Sequence, residues 1–91
     1  MADRYVRVKV RFLGALADDV KIRETELVMD PETATVGNLL ELLRSRIPKF
    51  REAESKLPMI WVFINDRQVL NTAQIQDGDR ISLMPPMYEG G

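Results

Sequence analysis

Thr35-Val36-Gly37-Asn38-Leu39-Leu40-Glu41-Leu42-Leu43-Arg44-Ser45-Arg46-Ile47-Pro48 is the one long stretch of this 91-residue chain that reads as a helix. Val36, Leu39, Leu40, Leu43 and Ile47 fall at offsets 0, 3, 4, 7 and 11, a single apolar stripe. Leu42 lies off that stripe, at its margin or exposed. Thr35 stands where its side-chain oxygen can accept from the free amides of the first turn. Pro48 biases Ile47 away from helical geometry, which ends the helix there. The segment from Lys49 to Lys56 is polar apart from Phe50 and reads as a surface connection with room for a helical turn.

Strands flank this helix on both sides. Tyr5 to Phe12 alternates, with Val6, Val8, Val10 and Phe12 on one face and Tyr5, Arg7, Lys9 and Arg11 on the other. Leu13 to Asp19 breaks the alternation and predicts a turn with a short helical piece. A second strand from about Ile22 to Met29 places Thr25, Leu27 and Met29 on one face and pairs back as a hairpin. Asp30-Pro31-Glu32 stops it. Beyond the helix, Met59 to Ile64 is apolar throughout, Ile60, Val62 and Ile64 facing one way and Met59, Trp61 and Phe63 the other. Asn65-Asp66-Arg67 and Asp77-Gly78-Asp79 are turns, with Gly78 free to take positive φ. Ile81 and Leu83 mark a last strand that runs directly into Pro85. One amphipathic helix between pairs of strands predicts an α+β fold, a mixed sheet with one main helix packed on one face. The order ββαββ is that of the ubiquitin-like β-grasp, in which the first and last strands lie parallel in the middle of the sheet.

Composition narrows the chemistry. Without cysteine there is no disulfide, thiol nucleophile or thiolate metal site, and without histidine the commonest general base is missing. Thirteen basic and fourteen acidic side chains nearly cancel, which argues against a chain built to coat nucleic acid or an anionic membrane. No apolar run has the length of a membrane span and Met1-Ala2-Asp3-Arg4 opens no signal peptide, so a soluble, cytoplasmic protein is expected. The chain divides into a domain over 1–84 and a tail over 85–91. In that tail, Pro85-Pro86-Met87-Tyr88-Glu89-Gly90-Gly91, the prolines favour a stiff, extended exit. The two glycines can thread a slot too narrow for other residues. Seven extended residues reach about 23–25 Å, enough to place a terminal carboxylate deep inside another protein.

Over nearly its whole length the sequence resembles the β-grasp sulfur-carrier family, most of all the small subunit of molybdopterin synthase. The resemblance is carried by Val8-Lys9-Val10-Arg11-Phe12 with Leu16, by Thr35-Val36 with Leu39 and Leu40, and by Val62-Phe63-Ile64-Asn65. Its most specific part is Asp77-Gly78-Asp79-Arg80-Ile81-Ser82-Leu83-Met84-Pro85-Pro86, followed by the terminal Gly-Gly. The resemblance implies a carrier that is not an enzyme on its own. An E1-like adenylyltransferase, using MgATP, adenylates the Gly91 carboxylate, which Gly90 helps to present. A sulfur donor makes it a thiocarboxylate, and the large synthase subunit takes the tail and delivers sulfur to a pterin precursor. The carrier itself holds no cofactor and no metal. Family tails usually have one residue before Gly-Gly where this chain has Tyr88 and Glu89, an extra reach of roughly 3.3 Å.

Alternative readings accompany these. Trp61 and Phe63 are either core beneath the Lys49–Lys56 segment or part of an open sheet face with Met84 and the basic row of the first strand. The second placement makes Trp61, Phe63 and Met84, with Pro85, Pro86, Met87 and Tyr88, a partner-binding surface. The basic row reads as a solvated face rather than a nucleic-acid track, and the acidic turns as turns rather than cation ligands. A ubiquitin-like modifier is the other functional class: the same adenylate, captured by target-protein lysines, joins Gly91 in an isopeptide bond.

Overall fold

Along β1 (Val6–Phe12) valines and phenylalanine are buried while Arg7, Lys9 and Arg11 are exposed, in a computed structural model that describes residues 5–86. β1 pairs antiparallel with β2 (Glu24–Met29), from Val6 opposite Met29 to Arg11 opposite Glu24. Between them α1 (Ala15–Val20) inserts Leu16 and Val20 into the core. Lys21 closes α1 in the left-handed region with φ 67°, and Ile22 is left exposed ahead of β2. The second strand is therefore shorter at its start than the alternation suggests.

Asp30 accepts the Glu32 amide at 2.9 Å and opens a single 3₁₀ turn over Pro31–Thr33. α2 (Val36–Arg46) starts as expected, Thr35 Oγ1 accepting the Asn38 amide at 3.2 Å. Val36, Leu39, Leu40 and Leu43 are buried, while Leu42 and Ile47 pack half-buried at the core's margin. Burial at roughly 1.5–3 kcal/mol per large side chain makes this stripe, rather than intrinsic propensity, the source of the helix's stability.

The segment after Pro48 is not a surface connection. It forms α3 (Pro48–Ser55), and the reason lies in Pro48 itself. Ile47 is extended, as the residue before a proline should be, and α2 stops. At the first position of a new helix, however, proline's missing N–H costs nothing and its φ is already suitable. Phe50 and Ala53, three residues apart, then turn inward and are 0% and 4% exposed. The Phe50 ring meets Phe12 with centroids 5.8 Å apart and planes tilted by 49°. α3 packs on α1 and α2. Arg44 clasps Glu54 across the α2–α3 junction, Nε to Oε1 at 2.6 Å and Nη2 to Oε2 at 2.8 Å. The hydrogen bonds to Glu54 hold the Arg44 guanidinium even further above its ordinary range.

β3 (Trp61–Ile64) and β4 (Arg67–Val69) are joined by Asn65 and Asp66, both with positive φ, the backbone of a two-residue hairpin turn. β5 (Arg80–Met84) runs parallel to β1 and antiparallel to β3, giving the order β2-β1-β5-β3-β4. The expected α+β architecture and its parallel central pair are both present, with a helical layer of three elements on the one covered face. Among the described residues the core is wholly apolar and no buried side-chain nitrogen or oxygen lacks a partner.

Candidate partner interface at the tail exit

β5 delivers the chain to Pro85 from the middle of the sheet, held on both flanks. On one side Leu13 N–H donates to the Leu83 carbonyl at 2.9 Å, and on the other Met84 stands opposite Trp61. Pro85 has no amide to continue the ladder, so pairing stops there. Gly14 lies beneath it. A Cβ placed on Gly14 would stand 3.7 Å and 3.9 Å from Pro85 Cδ and Cγ. Gly14 has φ 61° and ψ −144°, a region that only glycine occupies readily, and its carbonyl accepts the Ala17 amide at 3.0 Å to open α1. The root of the tail therefore rests on the turn that joins β1 to α1. Sequence reading passed over Gly14. Its one signal was a glycine at the end of the first alternating run.

Trp61 and Phe63 are not core beneath residues 49–56. Val62 between them is 2% exposed toward the helices, which turns both rings to the open face of the sheet, where they are half-buried. Register places Met84 beside Trp61 and Ser82 beside Phe63. One continuous cross-strand row runs Glu24, Arg11, Ser82, Phe63, Gln68. The next brings Glu26, Lys9 and Arg80 together. The open face thus presents an acidic column, a basic column and an aromatic column, with the aromatics nearest the exit. Lys9 reaches Glu24 only at 4.0 Å and in solvent. Pro85 and Pro86 are half-buried at the edge of this surface. Met87, Tyr88, Gly90 and Gly91 lie outside the described residues.

The acidic turns are structural. Asp77 Oδ1 accepts the Arg7 amide at 2.9 Å, and the Gly78 amide donates to the Arg7 carbonyl at 2.8 Å. Gly78 takes positive φ, 89°, as its type allows. Asp79 accepts from the Gln76 amide at 2.8 Å and from Asn65 Nδ2 at 2.9 Å, and Asn65 Oδ1 accepts the Arg80 amide at 3.0 Å. These bonds tie the β3–β4 turn to the start of β5. Asp18 and Asp19 are at the opposite end of the sheet, and no metal-sized cluster of acidic side chains occurs among the described residues. No helix there is long and apolar enough to cross a membrane.

The profile of the ThiS family matches residues 10–91. The chain belongs to the ThiS family. Its fold is shared by a structure described as a molybdopterin converting factor, subunit 1, from Pyrococcus furiosus. The two are 27% identical over 90% of this chain and 99% of that one, with a TM-score of 0.74. The small archaeal modifier protein 1 of Haloferax volcanii is 23% identical over 90% and 99% of the two chains, with a TM-score of 0.76. A complex of subunits 1 and 2 of molybdopterin-converting factor from Helicobacter pylori contributes a chain 24% identical to this one. That match covers 93% of this chain and all of the other, with a TM-score of 0.63. The last two likenesses are of fold. No curated protein matches by sequence. The ThiS-family chain is thus a ubiquitin-like β-grasp of the sulfur-carrier kind, as its motifs indicated.

Proposed function

We propose that this chain carries sulfur on the Gly91 carboxylate for molybdopterin synthesis and is inert without its partners. An E1-like adenylyltransferase activates it: a carboxylate oxygen attacks the α-phosphorus of MgATP and pyrophosphate leaves. A sulfide-level donor then attacks the acyl carbon, forming a C–S bond as AMP departs. The thiocarboxylate enters the large synthase subunit, its sulfur displaces an oxygen substituent from a carbon of the pterin precursor, and water hydrolyses the resulting thioester to return the carboxylate. Repetition builds the dithiolene that holds molybdenum or tungsten. The observation that carries this reading is β5, the central strand, running straight into Pro85-Pro86 beside an open face with half-buried Trp61, Phe63 and Met84. Such a strand end puts Pro85 and Pro86 beside a surface available to hold the chain against an enzyme. The family and the two-subunit assembly of the Helicobacter pylori neighbour support the same partnership. A cytoplasmic setting suits a carrier that meets soluble enzymes.

The second reading is a protein modifier, favoured by the likeness in fold to small archaeal modifier protein 1. It shares every step through the adenylate and differs in the nucleophile, a lysine amine in place of sulfur. Mass spectrometry of the chain recovered from its own cells separates the two. A C-terminal thiocarboxylate on free protein supports the carrier. Isopeptide adducts through Gly91, with no thiocarboxylate, replace it by the modifier.

A further inference from the structure

The two edges of the sheet are not alike. β4 ends it on one side with three residues, while β2 ends it on the other with six, Glu24 to Met29. Neither proline nor lysine, residues that blunt exposed edges, occurs along β2. Hydrogen-bond parity fixes which of its backbone groups are free. Lys9 and Leu13 donate their amides toward β5, to Asp79 and Leu83, whereas the Phe12 amide donates toward β2, to the Arg23 carbonyl at 3.0 Å. Val6, Val8 and Val10 share the parity of Phe12, so their partners Met29, Leu27 and Thr25 bond back to β1. Glu24, Glu26 and Val28 therefore direct their N–H and C=O groups outward, and among the described residues no backbone hydrogen bond answers them. Their side chains are exposed, Val28 at 47%. The Glu24 contact with Lys9 is 4.0 Å long and in solvent, and among the described residues Glu26 forms no ion pair, so both carboxylates can accept further donors. This edge lies two strands away from β5 and the tail.

We propose that the β2 edge takes up an extended segment of another protein as an added antiparallel strand, with lysine or arginine at alternate positions opposite Glu24 and Glu26 and an apolar residue opposite Val28. Main-chain bonds to these three residues hold the segment, and the side chains select it. Opposite charges directly across a strand pair stabilise, and like charges there destabilise. That rule disfavours a second copy of this chain. Centring an antiparallel pair of β2 strands on any residue from Glu24 to Val28 sets one of Glu24, Glu26 and Asp30 opposite an acid of the other copy. An acidic segment meets the same repulsion. Because the edge is two strands from β5, a partner seated there holds the domain while the tail stays available to another protein. None of this depends on what Gly91 carries.

The test is amide hydrogen exchange of the full chain, read by NMR while a blocked heptapeptide, Thr-Val-Thr-Lys-Thr-Lys-Thr, is titrated in. Without peptide, the Thr25, Leu27 and Met29 amides should exchange slowly and those of Glu24, Glu26 and Val28 fast. At a peptide concentration ten times its Kd, the Glu24, Glu26 and Val28 amides should slow roughly tenfold. Moving the two lysines side by side puts them on opposite faces of a strand and should weaken binding about two- to fivefold. Glu24→Gln and Glu26→Gln should each cause a loss of the same size with the original peptide. N-methylation of the central lysine keeps its charge but removes its bond to the Glu26 carbonyl, and should abolish the protection. Unchanged exchange at Glu26 and Val28 with roughly 1 mM peptide overturns the proposal. So does full affinity for the side-by-side or N-methylated peptide, full affinity in Glu26→Gln, or protection that arises elsewhere on the sheet instead. Protection of the same amides that grows with protein concentration alone makes a second copy the occupant, and overturns it as well.

Discussion

Gly14 and Asp66 show how single backbone positions fix this molecule. Gly14 sits in a conformation that an L-residue with a Cβ adopts only at a cost, and it supports Pro85. Gly14→Ala should lower stability by about 1–2 kcal/mol in urea unfolding. The cost should be conformational, since a Cβ there would be in ordinary contact and not in collision. Asp66 has φ 72° in the β3–β4 turn, where glycine is at ease. Asp66→Gly should raise stability by about 0.5–1 kcal/mol, and a loss would show that the Asp66 side chain contributes something the geometry does not reveal. Asp79 spends both oxygens on Gln76 and Asn65. Asp79→Ala should therefore cost about 0.5–1.5 kcal/mol, because water partly replaces the lost acceptor at these exposed donors, with thermal unfolding as the readout.

At the scale of elements, α2 was legible because one periodic stripe and one cap residue define it without reference to the rest of the chain. α3 was not. An eight-residue helix with Phe50 and Ala53 as its buried positions offers too few turns for a period to emerge, and Pro48 reads equally as an end and as a beginning. The local rule about proline was right, but it describes both sides of the break. β3 shows a different limit. Its alternation separates Trp61 and Phe63 from Val62, yet which set meets the helices is decided by pairing with β5, a partner distant in sequence. The tail exit was legible in the run from Asp77 to Pro86, whereas Gly14 beneath it gave almost no sign. Phe50→Ala tests α3 as a core element, with an expected loss of about 3–5 kcal/mol. A surface connection would lose almost nothing. The Arg44–Glu54 clasp is partly in solvent, 33% and 22% exposed, so Glu54→Gln should cost only about 0.5–1 kcal/mol.

For the whole molecule, the division of labour follows from topology. One face of the sheet is covered by three helices and stabilises the fold, which leaves the other open. The strand between these two roles, β5, contributes Ile81 and Leu83 to the core, Met84 to the open face, and its C-terminal end to the tail. Phe63→Ala should accordingly cost only about 1–2 kcal/mol in unfolding while weakening partner binding, a smaller loss than for Phe50→Ala. The most direct measurement is the intact mass of the chain after incubation with its adenylyltransferase, MgATP and a sulfide source, beside a Gly91-deleted form. The expected result is one sulfur in place of one oxygen, on the full-length chain alone. An unchanged mass with an active enzyme, or the same gain without Gly91, would contradict the carrier function.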